Sequence, residues 1–170
     1  MISRLPHTPR RSITLLAPDA DAADRGERGG AKDKTRNKTP AGDPLDKIAT
    51  KLGVTREQVE EVYEIEREEL RLIVTPAKLD ASHKVGTEQV ALLLAAGRQA
   101  AELADNTESK AIRDVVDDYG KADSNFGKII SGMGQYFSLA TKKSKNRPVR
   151  VRRSAFAAAG ELVKSLTTTP

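Results

Sequence analysis

The chain has 170 residues, 38% hydrophobic and 31% charged, with no cysteine and only two histidines, His7 and His83. That length suits one ordinary domain or two small ones, and the lack of cysteine excludes disulfides and cysteine-ligated zinc and fits a reducing cytoplasm. The net charge of +5 is unevenly placed: residues 1–43 carry nine basic against six acidic side chains, residues 44–119 ten against sixteen, and residues 120–170 ten against two.

A basic cluster is the footprint of a polyanionic partner, because Lys and Arg that bind phosphates release condensed counterions. No apolar run approaches the roughly 18 residues of a membrane span, so no membrane partner is expected. The Ile13–Leu16 patch is too short for the apolar region of a secretory signal.

Residues 1–43 read as a disordered basic arm. They hold Pro6, Pro9, Pro18 and Pro40 and a glycine cluster at 26–30, and they present no apolar face whose burial could offset the entropy of ordering. Arg25, Arg28, Lys32, Lys34, Arg36 and Lys38 would let this arm graze nucleic acid.

Order is expected from Asp43, an N-cap residue, and Pro44, which suits a first helical position. Leu45, Ile48, Ala49 and Leu52 have helical spacing and stop at Gly53. A second helix starts at Thr55 with Gln58 three residues on, the pattern of a capping box. Ala49 where the helices touch, Gly53 in the turn, Val54 as a plug, and Val59 and Val62 inward resemble the helix-turn-helix unit of bacterial regulators and sigma factors. The second helix would present Arg56, Glu57, Gln58, Glu60 and Glu61 outward. Three carboxylates against one guanidinium repel phosphates, so the Arg56–Glu61 helix is read as a packing or protein-contact surface. Residues 63–66 and 70–74 have β-character and predict a hairpin, which closes the helix-turn-helix unit at 44–80.

The second unit runs over 87–166. Thr87 is expected to cap a long helix that is apolar over a broad face through Val90, Leu93, Leu94 and Ala101, the pattern of a buried central helix. Thr107 or Ser109 opens the next helix, with Ile112, Val115 and Val116 inward and Tyr119-Gly120 at its end. Asp123 and Ser124 cap a third helix carrying Phe126, Ile129, Ile130 and Met133. Strands at 136–139 and 148–151 flank the polar basic loop 141–147, and Ser154 caps a last helix.

This order of three helices, strand, basic loop, strand and helix resembles the winged helix-turn-helix over about 80 residues. The resemblance implies that the third helix, Ser124 to Tyr136, enters the major groove while a wing tipped by Lys142 to Arg147 lies on the backbone. Gly127, Gly132 and Gly134 weaken that helix by roughly 1 kcal/mol each relative to Ala. Either it ends near Ser131 or another backbone approaches it closely.

The expected fold class is therefore mainly α with small β-hairpins. Lys142, Lys143, Lys145, Arg147, Arg150, Arg152 and Arg153 fall within twelve positions free of acids. With Val149 and Val151 inward, Arg150 and Arg152 face out. On the third helix Ser124, Asn125, Lys128 and Ser131 are the reading candidates. Asn pairs with adenine and Lys reaches guanine, although Asn125 equally suits a cap.

Catalytic arrangements are not apparent. Asp117-Asp118, Glu60-Glu61 and Glu68-Glu69 are adjacent pairs that do not converge, no phosphate loop is present, and nucleophile–base pairs are scarce. No cofactor and no metal are expected. The expected role is a cytoplasmic, bacterial-type protein that binds double-stranded DNA, as a small transcriptional regulator or a nucleoid or accessory factor. The competing reading is an interaction adaptor or a subunit of a larger complex that uses the winged helix and the acidic helix-turn-helix as docking surfaces.

Overall fold

The computed structural model describes residues 42–140 and 146–168. Of the arm expected over residues 1–43, residues 1–41 lie outside them. The described residues form six α-helices, one short 3-10 turn and two small antiparallel sheets.

Helix α1 (Pro44–Leu52) starts where Asp43 accepts a 3.0 Å hydrogen bond from the Leu45 N–H. It ends at Gly53, whose left-handed backbone (φ 67°) lets its N–H reach the Ala49 carbonyl; glycine takes that conformation without the steric cost of a Cβ. Helix α2 (Arg56–Val62) opens with the expected capping box, Thr55 and Gln58 each bonding the other's backbone N–H. Ile48, Leu52, Val59 and Val62 are buried.

Strands β1 (Tyr63–Glu66) and β2 (Glu69–Leu72) form the hairpin, with Glu66 opposite Glu69. Its two-residue turn, Arg67 and Glu68, is left-handed at both positions (φ 51° and 67°). This is the handedness of a type I′ turn made without the usual Asn-Gly, so the flanking pairing must offset its strain.

Helix α3 (His83–Ala100) is the centre. Every residue from Val90 to Gly97 is buried, so the helix is covered on all sides. It starts four residues before the expected Thr87. Ser82 is the N-cap, and Thr87 is buried and donates to the Lys121 carbonyl at 2.9 Å. A cap residue read from sequence is thus a core polar group whose partner is 34 positions away.

A two-residue strand β3 (Thr107–Glu108), absent from the sequence reading, leads directly into α4 (Ser109–Asp118). Helix α5 (Phe126–Gly132) is short, ending one residue past Ser131. Strands β4 (Phe137–Leu139) and β5 (Pro148–Val151) complete an antiparallel sheet in the order β3-β5-β4, with Thr107 opposite Val149 and Phe137 opposite Val151. The last helix, α6 (Arg153–Thr167), has Arg152 rather than Ser154 at its N-cap; the Ser154 hydroxyl donates instead to the Gln135 carbonyl.

The stretches 44–80 and 87–166 contribute to one hydrophobic cluster that runs from Ile48 to Leu166. Helix α3 packs on α1, α4, α5, α6 and both sheets, and α6 packs on α1 and α2. Small residues make this closeness possible. A Cβ on Gly97 would meet Leu70 Cδ2 at 2.6 Å and the Tyr63 ring at 2.7 Å, and one on Gly160 of α6 would overlap the carbonyl oxygen of Leu52. The neighbours of Gly97 are side chains, whereas that of Gly160 is backbone at the end of α1 and cannot turn away.

Gly160→Ala should therefore destabilise the fold by about 1–3 kcal/mol or more through overpacking, although Ala is the better helix former. Urea unfolding measures it, and an unchanged or higher stability would show that α6 and α1 are not in contact there.

Candidate nucleic-acid interface

The first turn of α4, the outer side of α5 and the chain leading into β5 enclose a half-open groove of about 790 Å³. Lys110 and Arg113 come from α4, Ser124 to Lys128 and Ser131 from α5 and its entry, Leu139 from β4, and Asn146 and Arg147 from the chain leading into β5. Core packing orients these residues. Ile112 and Val116 of α4 are buried, as are Phe126, Ile129 and Ile130 of α5, which leaves Lys110, Arg113, Asn125, Lys128 and Ser131 exposed.

The base of the basic loop is fastened to α4. Asn146 Oδ1 accepts from the Lys110 N–H at 3.2 Å, and Asn146 Nδ2 donates to Glu108 at 2.6 Å. The Arg147 N–H donates to Ser109 Oγ at 2.8 Å, and the Ser109 N–H to the Arg147 carbonyl at 2.9 Å. The Arg113 guanidinium carbon lies 5.8 Å from the centroid of the Phe126 ring, within cation–π range.

Four of the residues singled out on the third helix, Ser124, Asn125, Lys128 and Ser131, thus share one groove with Arg147. Asn125 occupies the N-cap position of α5 without a side-chain cap bond, and Ser131 donates its hydroxyl proton to the Gly127 carbonyl at 2.7 Å. Arg150 is exposed on β5 beside the buried Val149 and Val151 but does not line the groove. Arg152 is exposed and outside the groove too, with Nε donating to the Phe137 carbonyl at 3.2 Å. Lys142, Lys143 and Lys145 lie outside the described residues. Lys110 and Arg113 were missed in the sequence; their i, i+3 spacing opposite Ile112 and Val116 was the available signal. Asn146 had none, since its partners lie 36 and 38 positions away.

Charge is handled differently in the two stretches. In 44–119 many cations are neutralised internally. Arg56 meets Asp43 at 2.8 Å, Asp46 at 2.7 Å and Glu60 at 2.8 Å; Lys47 and Lys51 meet Glu102; Arg71 meets Glu66. The carboxylates on Arg56 hold its pKa above the usual arginine range. The Lys47 ammonium, with Lys51, holds Glu102 below the usual carboxylate range. Around the groove, the side chains of Lys110, Lys128, Arg147 and Arg150 have no hydrogen bond or ion pair among the described residues, and no carboxylate lines it.

No protein-family model, curated protein or solved structure matches the chain. Among the described residues no helix is long and apolar enough to cross a membrane.

Asp43 is held below the usual carboxylate range, first by the Leu45 N–H and then by Arg56. A depressed folded pKa adds stability that is present above the unfolded value of about 4 and is lost as pH falls through the folded one. Asp43→Ala should cost about 1 kcal/mol at pH 7, and this gap should narrow at acidic pH as the wild-type carboxylate protonates. Urea midpoints at pH 7 and pH 3 measure it; a gap that does not change with pH contradicts the capping account.

Proposed function

We propose that the chain binds double-stranded DNA through its C-terminal half, and that residues 87–166 form a winged helix-turn-helix. The fold assignment is supported by the order α3, β3, α4, α5, β4, β5, α6 with the three strands arranged β3-β5-β4. In that assignment α4 and α5 are the helix-turn-helix pair, α5 faces the major groove, and the chain between β4 and β5 is the wing.

The observation that carries the DNA reading is the groove beside α5. Lys110, Arg113, Lys128 and Arg147 reach it from α4, α5 and the chain leading into β5, and no acid lines it among the described residues. Four cations that form no ion pair among the described residues carry self-repulsion, which a phosphate backbone relieves. The role this supports is a small regulator or a nucleoid or accessory factor.

The α1–α2 unit resembles a helix-turn-helix too, yet its surface favours a protein partner or simple packing over DNA. Arg56, the one cation on α2, is already bound by three carboxylates, and Glu57, Glu60 and Glu61 are exposed. This face is also what an interaction adaptor would use.

The test is fluorescence-anisotropy titration of a labelled random-sequence duplex at several salt concentrations. Lys110→Ala, Lys128→Ala and Arg147→Ala combined should weaken binding and make log K against log[salt] shallower by about 2–3 units, at about 0.9 per lost phosphate contact. Glu57, Glu60 and Glu61 changed to Gln should leave binding unimpaired. An unchanged salt slope in the triple variant would remove the groove from the interface.

A further inference from the structure

The residues of α5 and its entry constrain how duplex DNA would be read there. Of the exposed positions from 124 to 132, Gly127 and Gly132 carry no side chain, and Ser124 and Ser131 carry short ones. Ser131 already spends its proton on the Gly127 carbonyl. The helix is seven residues long, and Phe126, Ile129 and Ile130 are committed to the core. Only Asn125 and Lys128 have the reach to meet base edges. Lys128 also stands on the groove wall among the cations.

The glycines are not required by internal packing. A Cβ built on Gly127 or on Gly132 would meet nothing within 4 Å. An unpacked glycine weakens a helix, so Gly127 on the groove wall fits a surface that another backbone approaches closely, as phosphate–sugar contact requires. The neighbouring cations are spread over α4, α5 and the chain leading into β5 rather than grouped on the helix that would enter the major groove.

Resting on the DNA reading above, we infer that the groove grips the phosphate–sugar backbone of duplex DNA and that the protein binds duplexes with little regard to sequence. Backbone contacts fix register and carry no base identity. A good bidentate base contact discriminates by about 5- to 150-fold, whereas specific binders separate their site from random DNA by about 10³- to 10⁷-fold. With Lys128 engaged on phosphate, Asn125 is the one side chain of α5 and its entry left to make such a contact. Discrimination by the described residues of α5 and its entry is therefore confined to what one contact supplies.

The experiment titrates the full chain against AT-rich, GC-rich and mixed 20-base-pair duplexes, and against the best sequence selected from a random library. Affinities for the three unrelated duplexes should agree within about tenfold, and the selected sequence should exceed the random pool by less than about 150-fold. Asn125→Ala should narrow that spread while changing affinity for the pool by no more than about twofold. A selected sequence bound more than about 150-fold above the pool would overturn this inference and leave duplex binding standing. No measurable binding to any duplex would overturn both.

Discussion

A helix buried on every side determines what the rest of this chain must do. From Val90 to Gly97 of α3 no residue faces water, so both stretches of the chain must supply apolar cover. Ala91, Ala95, Ala96 and Gly97 keep the helix slim, which lets the hairpin reach it through Tyr63 and Leu70. Tyr63 is fully buried, and its hydroxyl is tolerated there because it donates to the Leu93 carbonyl at 3.1 Å. Burial pushes the phenol well above its usual pKa and keeps it a neutral donor. The contact of α6 with α1 at Gly160 follows the same principle, with a small residue set where two backbones converge.

Onto this core the chain sorts its charge. The cations on α1 and α2 are consumed by nearby carboxylates, and such exposed pairs contribute little to stability. Their effect is on the outer surface, where they leave α2 and the hairpin with an acidic excess. The groove beside α5 has the opposite character, with cations from α4, α5 and the chain leading into β5 and no acid among the described residues that line it. Screening in physiological salt acts over roughly 8 Å, so the local surface and not the net charge of +5 decides what each face attracts.

Local signals were legible in the sequence where their cause is local. The Asp43 cap, the Gly53 turn and the Thr55–Gln58 capping box all involve residues within four positions of each other. The paired strands were legible from alternation, with Val149 and Val151 buried and Arg150 exposed. What failed depended on distant partners. Strand β3 is two residues long and exists only because Thr107 and Glu108 pair with β5. Thr87 and Ser154 have the chemistry of caps but bond to Lys121 and Gln135 instead. In the candidate site, α5 residues were legible from helical spacing, whereas the Asn146 clamp that sets the base of the loop against α4 was not.

On this reading DNA meets the groove formed by α4, α5 and the chain leading into β5, and α2 stays free. Amide hydrogen exchange of the full chain with and without a random-sequence duplex tests it most directly. Slowed exchange in peptides spanning 109–131 and 146–150, with no change across 56–62, is the predicted result. Protection across 56–62 with the groove peptides unchanged would contradict the account.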